Sequence, residues 1–541
     1  MSVISFVFRT PLFVPVATFV AAFCSIIYEL VLSQALTIIY GGTVLRYSVT
    51  IGLFLFSLGL GAFLYARVKR RMEAQMALFI VEALLSLFGF LGVFFVFLGR
   101  GALEGPLPYL VVLVLSHVPV VAIGILSGLE IPILTDCDED GNFTKVLGID
   151  YFGSLVGTLV YALFLYPMSG LVVTTISIVS LNLLLAVVCL VHYRLYSGHA
   201  RARAMFVLVA ILVLVWGHAR SIESWTEKEY LTKVIQREYA LYGVDLEHVE
   251  VKNHFTTAYQ EVSLYDIYIR STSARYVSSD TCLNLGEHIQ MCNQWVDAYH
   301  KGLVHMPMAL LPKDKKLSIL ILGGGDFIAV NYLRTFDARI GSIDLVDIDP
   351  QFQTFARTHP YLLEKNQGAF DYDKLTLSVG DAYSYVQHTD KHYDFILMDL
   401  PGLRHDKMLP LYSKEFYTFA RRALAEGGIL VSWRYPADMY PTHGDALEAT
   451  LAAAGFKDTL EYVAWNKLPD KSVQPTDTFF VVGNQVSYLP DLTSDEYMTE
   501  FSDHFKSMAW RPLHRDDTLV SSIFKPNYDL LVSKPEVYTR I

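Results

Sequence analysis

Charge is scarce in this chain. Only 18% of its 541 residues are Asp, Glu, Lys or Arg, and acids outnumber bases 54 to 43, for a net charge of -11. That balance excludes a nucleic-acid binder, which needs clustered cations against phosphate. Cysteine is scarcer still. The five present show no metal-ligand spacing, so no metal site is expected. Internal repeats and low-complexity tracts are absent. What fills the chain instead is apolar: 53% hydrophobic residues, 33 Tyr and 33 Phe, with a mean hydropathy of +0.35. This is too apolar for an ordinary soluble protein and fits a membrane half with aromatic interfaces.

The hydrophobicity is concentrated before about residue 218. Runs long enough to span a bilayer lie near 12–38, 46–66, 76–98, 107–135, 146–168 and 171–192. A seventh, Ala204–Gly217, is short for a full crossing. The first run is long and has no small-residue cleavage site, so it is not read as a cleaved leader. Basic residues gather after the second span (Arg67, Lys69, Arg70, Arg71) and after the sixth (Arg194, Arg201, Arg203), which places both connections on the cytoplasmic face. The expected location is a multi-pass cell (inner) membrane. The side of the following polar half depends on whether the seventh segment crosses. Of the acids within or at the ends of spans, Glu82 and Glu130 read as structural, Glu29 and Asp150 as functional candidates.

From about Glu223 the chain turns polar. The expected organisation is a transmembrane domain over 1–220, a small β part over 221–310, an α/β domain over 311–485 and a tail over 486–541. Short alternating runs (VEVKNHF, AYQEVSLYD, DIYIRS, CLNLG, HIQMC) predict a small antiparallel sheet. Cys282 and Cys292 flank a hairpin with its turn near Gly286; they face each other either as a disulfide or as two reduced core residues. Beyond 311, strands SILILG, SIDLVDID, KLTLSVGD, FILMDLP and GILVSWR alternate with helical stretches. The fold class is therefore an α-helical transmembrane bundle, then a small antiparallel β domain, then a Rossmann-like, doubly wound α/β domain whose ligands sit at the strand carboxyl ends.

The richest stretch is LSILILGGGDFIAVNYLRTFDARIGSIDLVDIDP, 317–350. Gly323, Gly324 and Gly325 at a strand–helix turn let backbone N–H groups approach a ligand closely. Four acids then fall at successive strand ends: Asp326, Asp347, Asp381 and Asp399. One such acid is usually a helix cap. Four in succession point to a nucleoside site, with Asp347 placed for the ribose hydroxyls.

GGGD, VDIDP, GDA, a strand ending in Asp399 followed by LYSKEFY, the upstream TAYQEV and the segment LNLGEHIQMCNQWVDAYHKGLVHMP together resemble the spermidine synthase (polyamine aminopropyltransferase) family over about 250–485. The apolar region is similar to the multi-span segment fused to this domain in some bacterial members: YELVLSQALTIIYG, SGLEIPILT and GIDYFGSLVG carry that likeness. The resemblance implies a class I methyltransferase-like fold, no tightly bound cofactor, decarboxylated S-adenosylmethionine as co-substrate, and a putrescine-like amine as acceptor. The lipid bilayer is a further partner, and self-association is left open. Gln260 would sit near the sulphonium, Asp347 on the ribose, and Asp381 and Ala382 on the adenine, with Gly323, Gly324 and Gly325 in the turn. Tyr299, His300 and Asp326 would contact amine groups, and Asp399 would be the general base.

The chain departs from the family's pattern in the acceptor half. The second acid of D-x-x-D-P is missing at Gly402, and Asp406 is the replacement carboxylate expected. Trp295 and Val296 stand where a D-E pair is usual, and Phe327 and Ile328 replace two glycines. Two alternatives follow: a catalytically degenerate nucleoside- or polyamine-binding module that regulates a membrane transporter, and an S-adenosylmethionine-dependent methyltransferase.

Overall fold

A computed structural model describes residues 12–40, 44–103, 109–241, 244–270, 279–286, 288–403, 406–435, 441–468, 471–483 and 488–530. The chain divides into two compact units, Met1–Val234 and Ile235–Ile541.

The first unit is helical. Six of its stretches are long and apolar enough to cross a membrane: Phe13–Tyr40, Tyr47–Lys69, Ala74–Phe97, Val111–Cys137, Phe143–His192 and Gly198–Gly217. The 50-residue stretch Phe143–His192 contains both spans expected over 146–168 and 171–192. Gly170, at φ 66, breaks the helical path between them, a backbone state that a glycine adopts at little cost. The segment expected to be short is part of a 20-residue helix, Gly198–Gly217, with no buried residue. The helix takes in the polar stretch Gly198–Arg203 because its backbone bonds form whatever the side-chain polarity. Helices Val44–Lys69 and Val118–Cys137 meet at Gly61 and Gly128, where a Cβ would strike the carbonyl oxygens of Ile125 and Leu58. The absence of a side chain at both positions lets the two backbones approach this closely. Glu82 and Glu130 are buried, and Glu130 accepts a hydrogen bond from Ser25 Oγ at 2.8 Å.

The second unit carries two sheets. Strands β1 (Leu246–Thr256), β2 (Glu261–Ile269), β3 (Ser279–Leu285) and β4 (His288–Cys292) form an antiparallel sheet in the order β1-β2-β3-β4. Residues 229–241, expected within this strand-rich run, instead belong to the helix Ala219–Leu241. Cys282 and Cys292 are opposite each other in register and joined by a disulfide, so the disulfide alternative is the one found.

The larger sheet comprises β5 (Leu317–Gly323), β6 (Ile340–Asp347), β7 (Leu375–Val379), β8 (Tyr393–Asp399), β9 (Leu424–Arg434), β10 (Asp458–Lys467), β11 (Val473–Gly483) and the two-residue β12 (Arg511–Pro512). Its order is β12-β10-β11-β9-β8-β5-β6-β7. Strands β5 to β9 run parallel, and β11 lies antiparallel to β9. This is the Rossmann-like, methyltransferase-type order. The strand order reverses at β5, which lies between β6 and β8, and such sheets open a crevice at that point.

The central strands read as unbroken apolar runs because both faces of the sheet are covered. Ile319 and Ile321 of β5 pack on one side with Phe395, Leu397 and Val431. Leu320 and Leu322 pack on the other with Ile396, Met398 and Leu430. The period-two alternation of side chains thus loads both cores from one strand. Helix Val296–Leu310 belongs to the first core, through Leu303, Val304 and Met306.

Candidate active site

At the carboxyl ends of the parallel strands lies a cavity of about 700 Å³. The turn after β5 shapes its floor. Gly323 (φ 85) and Gly324 (φ 69) are left-handed, and a Cβ on Gly325 would come 2.8 Å from the Asp347 carboxyl carbon. Glycine is therefore required there both for conformation and for contact with the neighbouring strand end. Phe327 completes the turn at φ 64, a left-handed backbone on a residue with a bulky side chain. That state costs about 1–2 kcal/mol. The ring offsets it by burial: it is 0% exposed, against Phe370 and under the Arg357 guanidinium.

The four strand-end acids all line this cavity, together with Gln260, Tyr299, His300, Ala382 and the three glycines. Of the residues expected there, Asp406 alone has a side chain outside the described residues. Three of the four acids also serve as caps or turn acceptors. Asp326 Oδ1 accepts from the Ile328 N–H at 2.9 Å, Asp347 Oδ1 from the Asp349 N–H at 2.9 Å, and Asp381 Oδ2 from the Ser384 N–H at 2.9 Å. Capping and a ligand-facing position coexist, since a carboxylate has lone pairs for both.

Asp399 differs. Its Oδ1 accepts from the Tyr299 hydroxyl at 3.2 Å, and its Oδ2 lies 3.9 Å from His300 Nε2. The His300 Nδ1 is 2.8 Å from the Val296 carbonyl oxygen, which accepts its proton and leaves Nε2 turned to the cavity. Burial pushes the Asp399 carboxyl up to about 6, helped by the negative charge of Asp326 and opposed by His300. Oxygens and nitrogens of His300, Asp326 and Asp399 fall within 4.8 Å of one another. Two carboxylates and an imidazole so close would attract a cation, metal or ammonium alike.

Gln260 does not reach freely into the cavity. Its Nε2 donates to Asp349 Oδ2 at 3.0 Å, and the Thr257 hydroxyl donates to the same oxygen at 2.7 Å. Asp349, not singled out from the sequence, also caps helix Pro350–Thr358 through the N–H groups of Gln351 and Phe352. The Asp-Pro pair was its signal, since a capping acid before a proline commonly opens a helix. Asp477, Trp433 and Tyr435 were likewise missed. All three line the cavity, and the Trp433 indole N–H donates to Asp477 Oδ1 at 3.1 Å. Burial pushes the Asp477 carboxyl up to about 6 against the opposing effects of Trp433 and His300.

A family profile described as "Spermine/spermidine synthase domain" matches residues 296–444. Polyamine aminopropyltransferase 1 of Streptomyces coelicolor is 27% identical over 452 residues, 82% of this chain and 79% of its own length. Polyamine aminopropyltransferase 2 of Aquifex aeolicus is 29% identical over 425 residues, 76% of this chain and 77% of its own. Both alignments are longer than the second unit, so they extend into the apolar helices. A crystal structure of a spermidine synthase with the transition-state analogue AdoDATO aligns at a TM-score of 0.39 and 18% identity, covering 47% of this chain and 85% of that one. Residues 296–444 thus match the spermine/spermidine synthase domain, and most of the chain is similar to the polyamine aminopropyltransferases named above.

Proposed function

We propose that this chain transfers an aminopropyl group from decarboxylated S-adenosylmethionine to a putrescine-like amine. The observation that carries the reading is Asp399: a buried carboxylate beside Tyr299 and His300, at the end of the strand next to the glycine turn. An alkyl ammonium has a pKa of about 10 and cannot attack carbon until it loses a proton. Asp399 takes that proton. The freed nitrogen lone pair attacks the propyl carbon bonded to sulphur, the C–S bond breaks, and its electrons return to sulphur. The products are the alkylated amine and methylthioadenosine.

The remaining assignments follow the same chemistry. Asp347, beside Gly325, takes the ribose hydroxyls; Asp381 and Ala382 meet the adenine. Gln260, held by Asp349, sits near the sulphonium. Tyr299, His300 and Asp326 surround the amine. Carboxylates match both reactants, since donor and acceptor are cations. The first unit lies in a membrane in this reading, supported by six helices of sufficient length and hydropathy.

The test is product release. Purified full-length chain supplied with decarboxylated S-adenosylmethionine and a panel of amines should release methylthioadenosine in an acceptor-dependent manner. Absence of release with every acceptor would refute the transfer.

A further inference from the structure

Among the described residues, six aspartates line the cavity, Asp326, Asp347, Asp349, Asp381, Asp399 and Asp477, against a single lysine, Lys407. Four of the six are bound to backbone N–H groups of their own turns or helix starts. Asp399 and Asp477 instead accept from side chains, those of Tyr299 and Trp433. The two approach from different strands, β8 and the antiparallel β11, yet act on the same pair: both bear electrostatically on Tyr299 and on His300. A cavity with two such carboxylates around one tyrosine–histidine pair suits a ligand with two positive charges.

Position 402 explains why the second carboxylate comes from β11. A Cβ on Gly402 would lie 2.5 Å from the Tyr435 hydroxyl oxygen. Tyr435 is itself buried, edge-on to Trp433 at 4.2 Å between ring centroids and edge-on to His443 at 4.9 Å. No side chain, acidic or otherwise, fits at 402 while that ring stays in place. Trp433, the partner of Tyr435, is also the residue that orients Asp477. The aromatic pair therefore excludes an acid from one wall and steadies one on the next.

We propose that Asp477 is the second anion of the acceptor site: it holds the far ammonium of a short unbranched diamine whose near nitrogen is alkylated at Asp399. The inference rests on the aminopropyl-transfer reading and sharpens it, because it names the side chain that holds the second ammonium of the acceptor. It also assigns acceptor selection to β11, outside the 296–444 domain match.

Calorimetry on the full-length chain saturated with methylthioadenosine decides it, with 1,4-diaminobutane and butylamine as probes. The wild type should bind the diamine at least about tenfold tighter than the monoamine. Asp477→Asn should remove that preference while leaving methylthioadenosine affinity unchanged, and Asp477→Glu should keep it. In turnover, Asp477→Asn should raise the diamine KM about tenfold or more with kcat changed less than about threefold. Equal wild-type affinity for the two amines, or a preference surviving in Asp477→Asn, overturns the proposal. Should Asp477→Asn not fold, the wild-type comparison and Asp477→Glu still decide. A chain that binds methylthioadenosine without preferring the diamine refutes only the role of Asp477; one that binds neither nucleoside nor amine refutes the transfer reading as well.

Discussion

The Tyr299 hydroxyl donates to Asp399 Oδ1 at 3.2 Å, while Asp399 Oδ2 has no hydrogen-bond partner among the described residues and faces His300 Nε2. One oxygen is fixed and the other is open to a proton. Asp399→Asn keeps the shape and the bond to Tyr299 but removes the acceptor. Turnover should fall by about 10²–10⁴-fold, the usual contribution of a positioned base. Methylthioadenosine affinity, read by calorimetry, should stay nearly intact; retained turnover would take the base role from Asp399.

The same carboxyl sets a pH limb. It must be ionised to accept a proton, and burial has raised it to about 6. Activity should therefore fall as pH drops through about 6, where an ordinary aspartate would place the limb near 4. The logarithm of kcat/KM against pH, for a saturating nucleoside donor, measures this. A limb near 4 would contradict the buried environment described for Asp399.

Asp347 abuts the Gly325 backbone and already accepts from the Asp349 N–H and from Gln353 Nε2. Asp347→Ala should weaken nucleoside binding by about 1.5–3 kcal/mol through lost charge-assisted hydrogen bonds. Unaltered methylthioadenosine affinity would reject the ribose assignment.

Gly402 and Tyr435 should be energetically coupled. Gly402→Ala places a methyl 2.5 Å from a buried hydroxyl oxygen, an overpacking worth about 1–3 kcal/mol. Tyr435→Phe removes that oxygen and leaves the nearest ring carbon, Cζ, 3.6 Å away. Thermal melts of the single and double variants should show the double less destabilised than the sum of the two. Strict additivity would mean the contact does not form.

Thiol counting checks the hairpin. Under denaturing, non-reducing conditions three cysteines, Cys24, Cys137 and Cys189, should label. Reduction should raise the count to all five. Five labelled residues without reductant would exclude the Cys282–Cys292 bond.

Much of the cavity's glycine turn and its strand-end acids was legible because their signals are local. A glycine turn after an apolar strand, then an acid ending the next strand, is spaced by the geometry of the α/β unit itself. Asp477 carried no such signal. It is a lone acid in VQPTDTFFVVG, and only the antiparallel return of β11 beside β9 brings it to the cavity. Gln260 was expected at the sulphonium from a motif, but a motif cannot reveal that Asp349 holds its amide. The helix Ala219–Leu241 was missed where alternation in neighbouring residues suggested strands. The membrane-length helices needed only run length, although the polar start of Gly198–Gly217 hid a full turn and more.

Asp349 has a mechanical consequence. One carboxylate caps the helix after β6 and takes hydrogen bonds from Thr257 and Gln260, in the loop between β1 and β2. This buried carboxylate ties the two sheets together beside the cavity, alongside the His359–Asn253 and Tyr361–Thr281 hydrogen bonds. Neither can shear past the other without stranding a buried anion, a cost of several kcal/mol. Both should lose amide protection in one step on heating, and a nucleoside seated at β6 should delay that step for the small sheet as much as for the large one.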